Sequence, residues 1–157
     1  MSKSKRRREF HQPKPTTPRQ SSGVANTFQR ALALHQQGRL AEAGALYQTV
    51  LKQAPNHFDA LHLLGVIEYQ RKNAAAAVRL IGQALRLNPN YAPAHSNMGN
   101  VLRELNRHEE ALAALDRALA LDSNEALYWN SRAIVLRKLG RTREAEEAEQ
   151  QATELGG

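Results

Sequence analysis

Cysteine is absent from the 157 residues, so neither a disulfide framework nor a thiolate metal site can form. Aromatic residues are scarce, at three Phe, four Tyr and one Trp, which disfavours a sheet built on aromatic and branched side chains. No run of about 18 apolar residues occurs, and that excludes a membrane-spanning helix. The basic N-terminus lacks the apolar segment of a secretory signal. Neither a phosphate-cradling glycine-rich loop nor a G-x-S-x-G nucleophile turn is present. What remains is 41% apolar, dominated by alanine and leucine, a composition suited to closely packed helices. The expectation is a soluble, cytoplasmic, all-α protein of one domain, with no membrane span, cofactor or metal.

The net charge of +7 is unevenly placed. Residues 1–22 hold Lys3, Lys5, Arg6, Arg7, Arg8, Lys14 and Arg19 against Glu9, a net of +6. The body from 23 to 157 carries 15 basic and 14 acidic residues, a net of +1. The segment "MSKSKRRREFHQPKPTTPRQSSG" has few large apolar side chains to offset the entropy of ordering it, so residues 1–22 are expected to be a disordered basic tail. Such a tail is either an electrostatic arm for nucleic acid or an acidic partner, or simply a solvated end. Phe10 is its one aromatic, which gives single-strand stacking little to work with.

From Val24 the chain aligns with itself at a period of 34, giving repeats 24–57, 58–91, 92–125 and 126–157 within a domain of residues 23–157. Position 8 of the frame reads Ala31, Gly65, Gly99 and Ala133. Position 20 reads Ala43, Ala77, Ala111 and Ala145, and position 27 reads Val50, Ala84, Ala118 and Ala152. Small residues at fixed offsets mark places where helices cross, and a larger side chain there costs about 1–3 kcal/mol by overpacking. Gly99, inside the helical "AHSNMGNVL", is therefore read as a close-packing residue and not a hinge. The turns inside each repeat fall near Gly38, Lys72, Asn106 and Gly140.

Leu61, Leu64-Gly65, Ala77 and Pro89 follow the order of a tetratricopeptide repeat, and the chain resembles that family over residues 24–155. The remaining copies carry Ala31, Ala43, Tyr47 and Pro55, then Met98-Gly99, Ala111 and Leu115, then Trp129, Ala133 and Ala145. Glu68, Arg30, Arg132 and Ser123 depart from the pattern. The resemblance implies a right-handed α-solenoid of four helix-turn-helix repeats, eight main helices in all. Each repeat would pair an A helix with a B helix. The last B helix, "EAEEAEQQATEL", is polar where its predecessors are apolar, with Glu146, Glu149 and Thr153 at positions 21, 24 and 28. A polar terminal unit is what a solenoid needs at its end, so a complete small domain is expected.

Catalytic constellations are thin. In "HFDALH", His57 and His62 are five residues apart and do not share a helix face. "HEEAL" opens like a zinc-protease helix, but Leu112 stands where its second histidine would be. No enzyme activity is expected of these residues. The resemblance instead implies a concave groove lined by the A helices, which would hold a protein or peptide partner. The groove residues are Phe28 and Leu32, then His62, Val66 and Tyr69, then Asn97, Asn100 and Arg103, then Asn130, Ile134 and Arg137. Asp59, Ser96, Leu127 and Lys138 fall at neighbouring groove offsets.

A two-carboxylate clamp for acidic C-termini is disfavoured, because only Asn97 fits among its offsets. "SNMGNVLRE" is more similar to the repeats of O-GlcNAc transferases, whose asparagines grip peptide backbone; an amide can serve both an N–H and a C=O. Two alternatives stay open beside the adaptor. The repeats could recruit substrate for a larger transferase, or the tail could bind nucleic acid or an acidic protein.

Overall fold

Each repeat turns on one residue with left-handed backbone. In the computed structural model, which describes residues 18–156, Gly38, Lys72, Asn106 and Gly140 have φ of 75°, 64°, 58° and 73°. All four occupy position 15 of the frame. The amide three residues past the last helical residue donates back each time, Arg39 to Leu34, Asn73 to Glu68, Arg107 to Leu102 and Arg141 to Leu136, at 2.8–3.0 Å. This is the Schellman closure, which satisfies carbonyls that a helix end would otherwise leave without partners.

The A helices are α1 (Pro18–Gln36), α3 (Phe58–Gln70), α5 (Ala92–Glu104) and α7 (Ala126–Lys138). The B helices are α2 (Leu40–Gln53), α4 (Ala74–Leu87), α6 (His108–Leu121) and α8 (Thr142–Glu154). The last three A helices occupy positions 1–13 of the frame, and every B helix starts at position 17. α1 alone differs. It begins at Pro18, a residue suited to a first helical turn because its missing N–H would have no partner there. Residues 18–22, expected in the tail, are therefore helical. The disorder expected for residues 1–17, and the basic set Lys3, Lys5, Arg6, Arg7 and Arg8, lie outside the described residues.

The small positions of the frame are where the helices meet. Positions 8, 20 and 27 are buried in all four repeats. At Gly65 a Cβ would stand 2.7 Å from Ile81 Cγ1 and 3.3 Å from the Ile81 backbone nitrogen, so only glycine admits this crossing. Ile81 and Leu115 at position 24 are fully buried, each removal from water contributing about 1.5–3 kcal/mol. Two of the departures from the repeat pattern are compensated. Trp129 Nε1 donates to the Ser123 carbonyl at 2.8 Å, as His95 Nε2 donates to the Pro89 carbonyl one repeat earlier at 2.8 Å. Arg132 donates to Asp116 at 2.7 Å.

Every helix packs on the next in sequence, and among the A helices α3 also touches α5 and α5 touches α7. No contact as extensive joins successive B helices among the described residues. Close spacing on one layer and splay on the other bend the stack, so the A-helix face is concave. At the far end α8 buries only Ala145, Ala148 and Ala152.

Candidate functional site

The first half of the concave face is largely occupied by its own packing. Phe28 is half-buried, with its ring 4.7 Å from His57 and 5.8 Å from Tyr47. Leu32, Val66 and Tyr69 are half-buried too. His62 is 7% exposed and sits in a ring cluster, 6.2 Å from Phe58 and 5.4 Å from Tyr91. The Phe58, His62 and Tyr91 rings pack together from α3 to the start of α5.

Asn97 joins that cluster. Its Nδ2 lies 2.9 Å from His62 Nε2, across the α3–α5 junction. An amide N–H₂ only donates, so the ring nitrogen accepts, and His62 is neutral with its proton on Nδ1. Burial pushes the His62 imidazole below its ordinary value, against an opposing pull from Asp59. His35 is lowered by burial as well, with the Tyr47 hydroxyl 3.5 Å from its Nδ1. One expected groove amide thus spends a donor on a neighbouring repeat.

The second half is freer. Asn100 and Arg103 are half-buried, and Arg103 forms no ion pair among the described residues. Asn130 is exposed. Arg137 is engaged differently, donating to both carboxylate oxygens of Glu149 at 2.8 and 2.7 Å. That bidentate contact holds the Glu149 carboxyl below the usual range. It also explains a carboxylate at position 24, an offset that is apolar in the other repeats.

Large apolar side chains are exposed at five described positions. Leu87, Leu105 and Leu155 stand at helix ends. The others, Leu127 at 59% and Ile134 at 45%, share the concave face of α7 two turns apart, about 10 Å along the helix. Leu127 stood at a groove offset in the sequence, yet nothing there distinguished it from the apolar residues used in packing.

Among the described residues no cluster of three or more His, Asp or Glu could hold a metal ion. No helix among them is long and apolar enough to cross a membrane. His57 caps α3, accepting from the Ala60 amide at 3.3 Å.

Residues 28–92 and 68–135 each match a family model described as tetratricopeptide repeat, so together the matches run from the first A helix into the last. The chain belongs to the tetratricopeptide repeat family. No curated protein matches it in sequence. Solved structures with the same architecture include MamA from Desulfovibrio magneticus, 23% identical at a TM-score of 0.80, covering 85% of this chain and 75% of that one. MamA AMB-1 is 26% identical at a TM-score of 0.77, covering 85% and 79%. An O-GlcNAc transferase mutant from Thermobaculum terrenum is 27% identical at a TM-score of 0.72 over 77% of this chain, which spans 23% of that protein. This tetratricopeptide array is a protein-interaction scaffold.

Proposed function

We propose that the array captures a segment of a partner protein along the concave face, anchored on the fourth repeat. The observation that carries this reading is the exposed pair Leu127 and Ile134 on α7. Exposed apolar side chains grouped on one face mark an interaction site more than scattered ones do. Asn100 and Asn130 supply amides for a bound backbone, and Arg103 supplies a cation without a partner among the described residues. Apolar anchors beside backbone-directed amides suit a short helical or extended segment.

The experiment selects peptides from a random library on the full chain and measures their affinity by fluorescence anisotropy. Leu127→Ser with Ile134→Ser should weaken a selected peptide by about tenfold or more, which corresponds to about 1.4 kcal/mol. Asn97→Ala with Asn100→Ala should weaken it with helicity unchanged. Equal affinity for wild type and both variants removes the concave face from the account.

A second reading is favoured by the transferase match and by "SNMGNVLRE" in α5: the array recruits substrate for a transferase domain. The mass of the native gene product separates the two. A product several times 17.5 kDa favours recruitment, and one near that value favours the adaptor.

A further inference from the structure

The outer layer holds a feature that the concave face does not explain. Because successive B helices are splayed, a trough lies between each pair, floored by the A helix beneath. Positions 7 and 25 differ in what they place in each trough. Between α4 and α6 the pair is Met98 and Gly82, and the methionine reaches so far that a Cβ on Gly82 would lie 3.6 Å from its Cε. Between α6 and α8, Arg132 crosses to Asp116 at 2.7 Å. Between α2 and α4 the pair is Leu64 and Gln48, which have nothing to offer each other.

The α6–α8 trough is open, at about 500 Å³, but there the paired Arg132 and Asp116 stand in the lining. The first trough encloses about 590 Å³, with Leu61, Leu64 and Leu80 in its lining. The volume falls within the range of ligand sites, roughly 300–1,000 Å³. Lys52 of α2 and Arg79 of α4 also line it, and neither forms an ion pair among the described residues. Glu68 is its one carboxylate. It is engaged already, accepting from Asn73 Nδ2 at 2.7 Å and lying 3.7 Å from Arg71. The trough sits in a positive half of the array: residues 18–91 hold eight basic and three acidic side chains, residues 92–157 eight and eleven.

We infer that this trough is a second docking site, on the face opposite the groove, for an acidic amphipathic peptide segment. One or two apolar side chains of the segment enter against Leu61, Leu64 and Leu80. Its carboxylates meet Lys52 and Arg79. Exposed ion pairs contribute little individually, so insertion supplies most of the affinity and the cations set which segments are accepted. Nucleic acid is a poorer occupant, since the trough offers its bases no aromatic platform.

The test uses the full chain and a fluorescein-labelled peptide, GSDELLEDSG, followed by anisotropy. GSDESSEDSG removes the apolar pair, and GSKKLLKKSG reverses the charge. The acidic leucine peptide should bind about tenfold or more tightly than either control. Lys52→Glu with Arg79→Glu, and separately Gln48→Trp to fill the trough, should each weaken it about tenfold. Both changes are at exposed positions, and circular dichroism verifies the fold. Arg6→Ser, Arg7→Ser and Arg8→Ser together should leave binding unchanged, as should Leu127→Ser with Ile134→Ser. The inference is overturned by any of four results: no binding of the acidic leucine peptide, equal binding of the serine peptide, loss through the tail or α7 variants alone, or displacement by a single-stranded oligonucleotide at equal concentration. Failure here leaves the concave-face reading standing, because the two sets of variants lie on opposite faces.

Discussion

Leu115 lies over Gly99 so closely that a Cβ on the glycine would stand 2.6 Å from Leu115 Cγ and 3.1 Å from the Ala111 carbonyl oxygen. The same relation holds between Gly65 and Ile81. Where position 24 is instead Tyr47 or Glu149, position 8 carries alanine. A branched aliphatic residue on the B helix therefore accompanies a missing Cβ on the A helix.

Gly99→Ala should destabilise the fold although alanine is the better helix former. The propensity gain is about 1 kcal/mol, against about 1–3 kcal/mol for the overlap. Gly44 is the control: a Cβ there meets Leu64 and Ile67 at an ordinary 3.7 Å. Gly44→Ala should stabilise by about 0.5–1 kcal/mol. Urea unfolding of both variants gives the signs, and a gain for Gly99→Ala would refute the crossing argument. Adding Leu115→Ala to Gly99→Ala should cost less than the two changes summed.

The left-handed turn residues give a second series. Lys72 holds φ 64° with a side chain that resists it, at a cost of about 1–2 kcal/mol. Lys72→Gly should raise stability, even though it removes the 3.3 Å contact to Glu104, since Lys72 is 77% exposed and such pairs contribute about 0–1 kcal/mol. Asn106→Gly should gain less, asparagine being more tolerant of this backbone. Gly140→Ala should lose about 1 kcal/mol or more. Midpoints that fail to follow this order would show that the turns are not the limiting strain.

His62 and His35 tie stability to pH. Both have folded values held below the ordinary value near 6.5, so between those limits the unfolded chain binds more protons than the native one. Their contribution is complete above pH 6.5 and declines as pH falls through the lowered folded values. Protonating His62 Nε2 would also set two donors face to face at Asn97. His62→Gln should flatten the fall in thermal midpoint between pH 6.5 and 5. The carboxylates held down by arginine, Glu42, Glu110, Glu144 and Glu149, titrate below this window. An unchanged slope in His62→Gln would assign the dependence elsewhere.

The concave pair makes a separable prediction. Leu127→Ser and Ile134→Ser should alter stability by no more than about 0.5 kcal/mol, because both side chains are solvent-exposed. Val66→Glu, in contrast, places a charge at a half-buried junction and should lower the midpoint. Comparable losses in all three would mean that α7 is covered in solution.

The period of 34 made the architecture legible, since positions 8, 15, 20 and 27 report contacts within a repeat or with the next. The site was less legible. Asn97 and His62 are 35 residues apart, one repeat and one position, and their bond depends on how far successive A helices rotate, which no local pattern encodes. Arg137 carried the same cationic signal as Arg103, yet only Arg137 has Glu149 within reach. Packing likewise claimed Phe28 and Tyr69, which sequence offsets cannot tell from the free Ile134. The early start of α1 was hidden because Pro18 and Ser21-Ser22 read as tail by composition.

Among the described residues, the extensive contacts join each helix to helices at most two places along the chain, and none of that extent ties α1 and α2 to α7 and α8. Deformation is therefore shared among the three junctions between repeats, each turning slightly, with the ends travelling farthest. The molecule behaves as a leaf spring. A segment that drew the inner layer together, as proposed for the concave face, would spread the outer one and widen the mouths of the convex troughs.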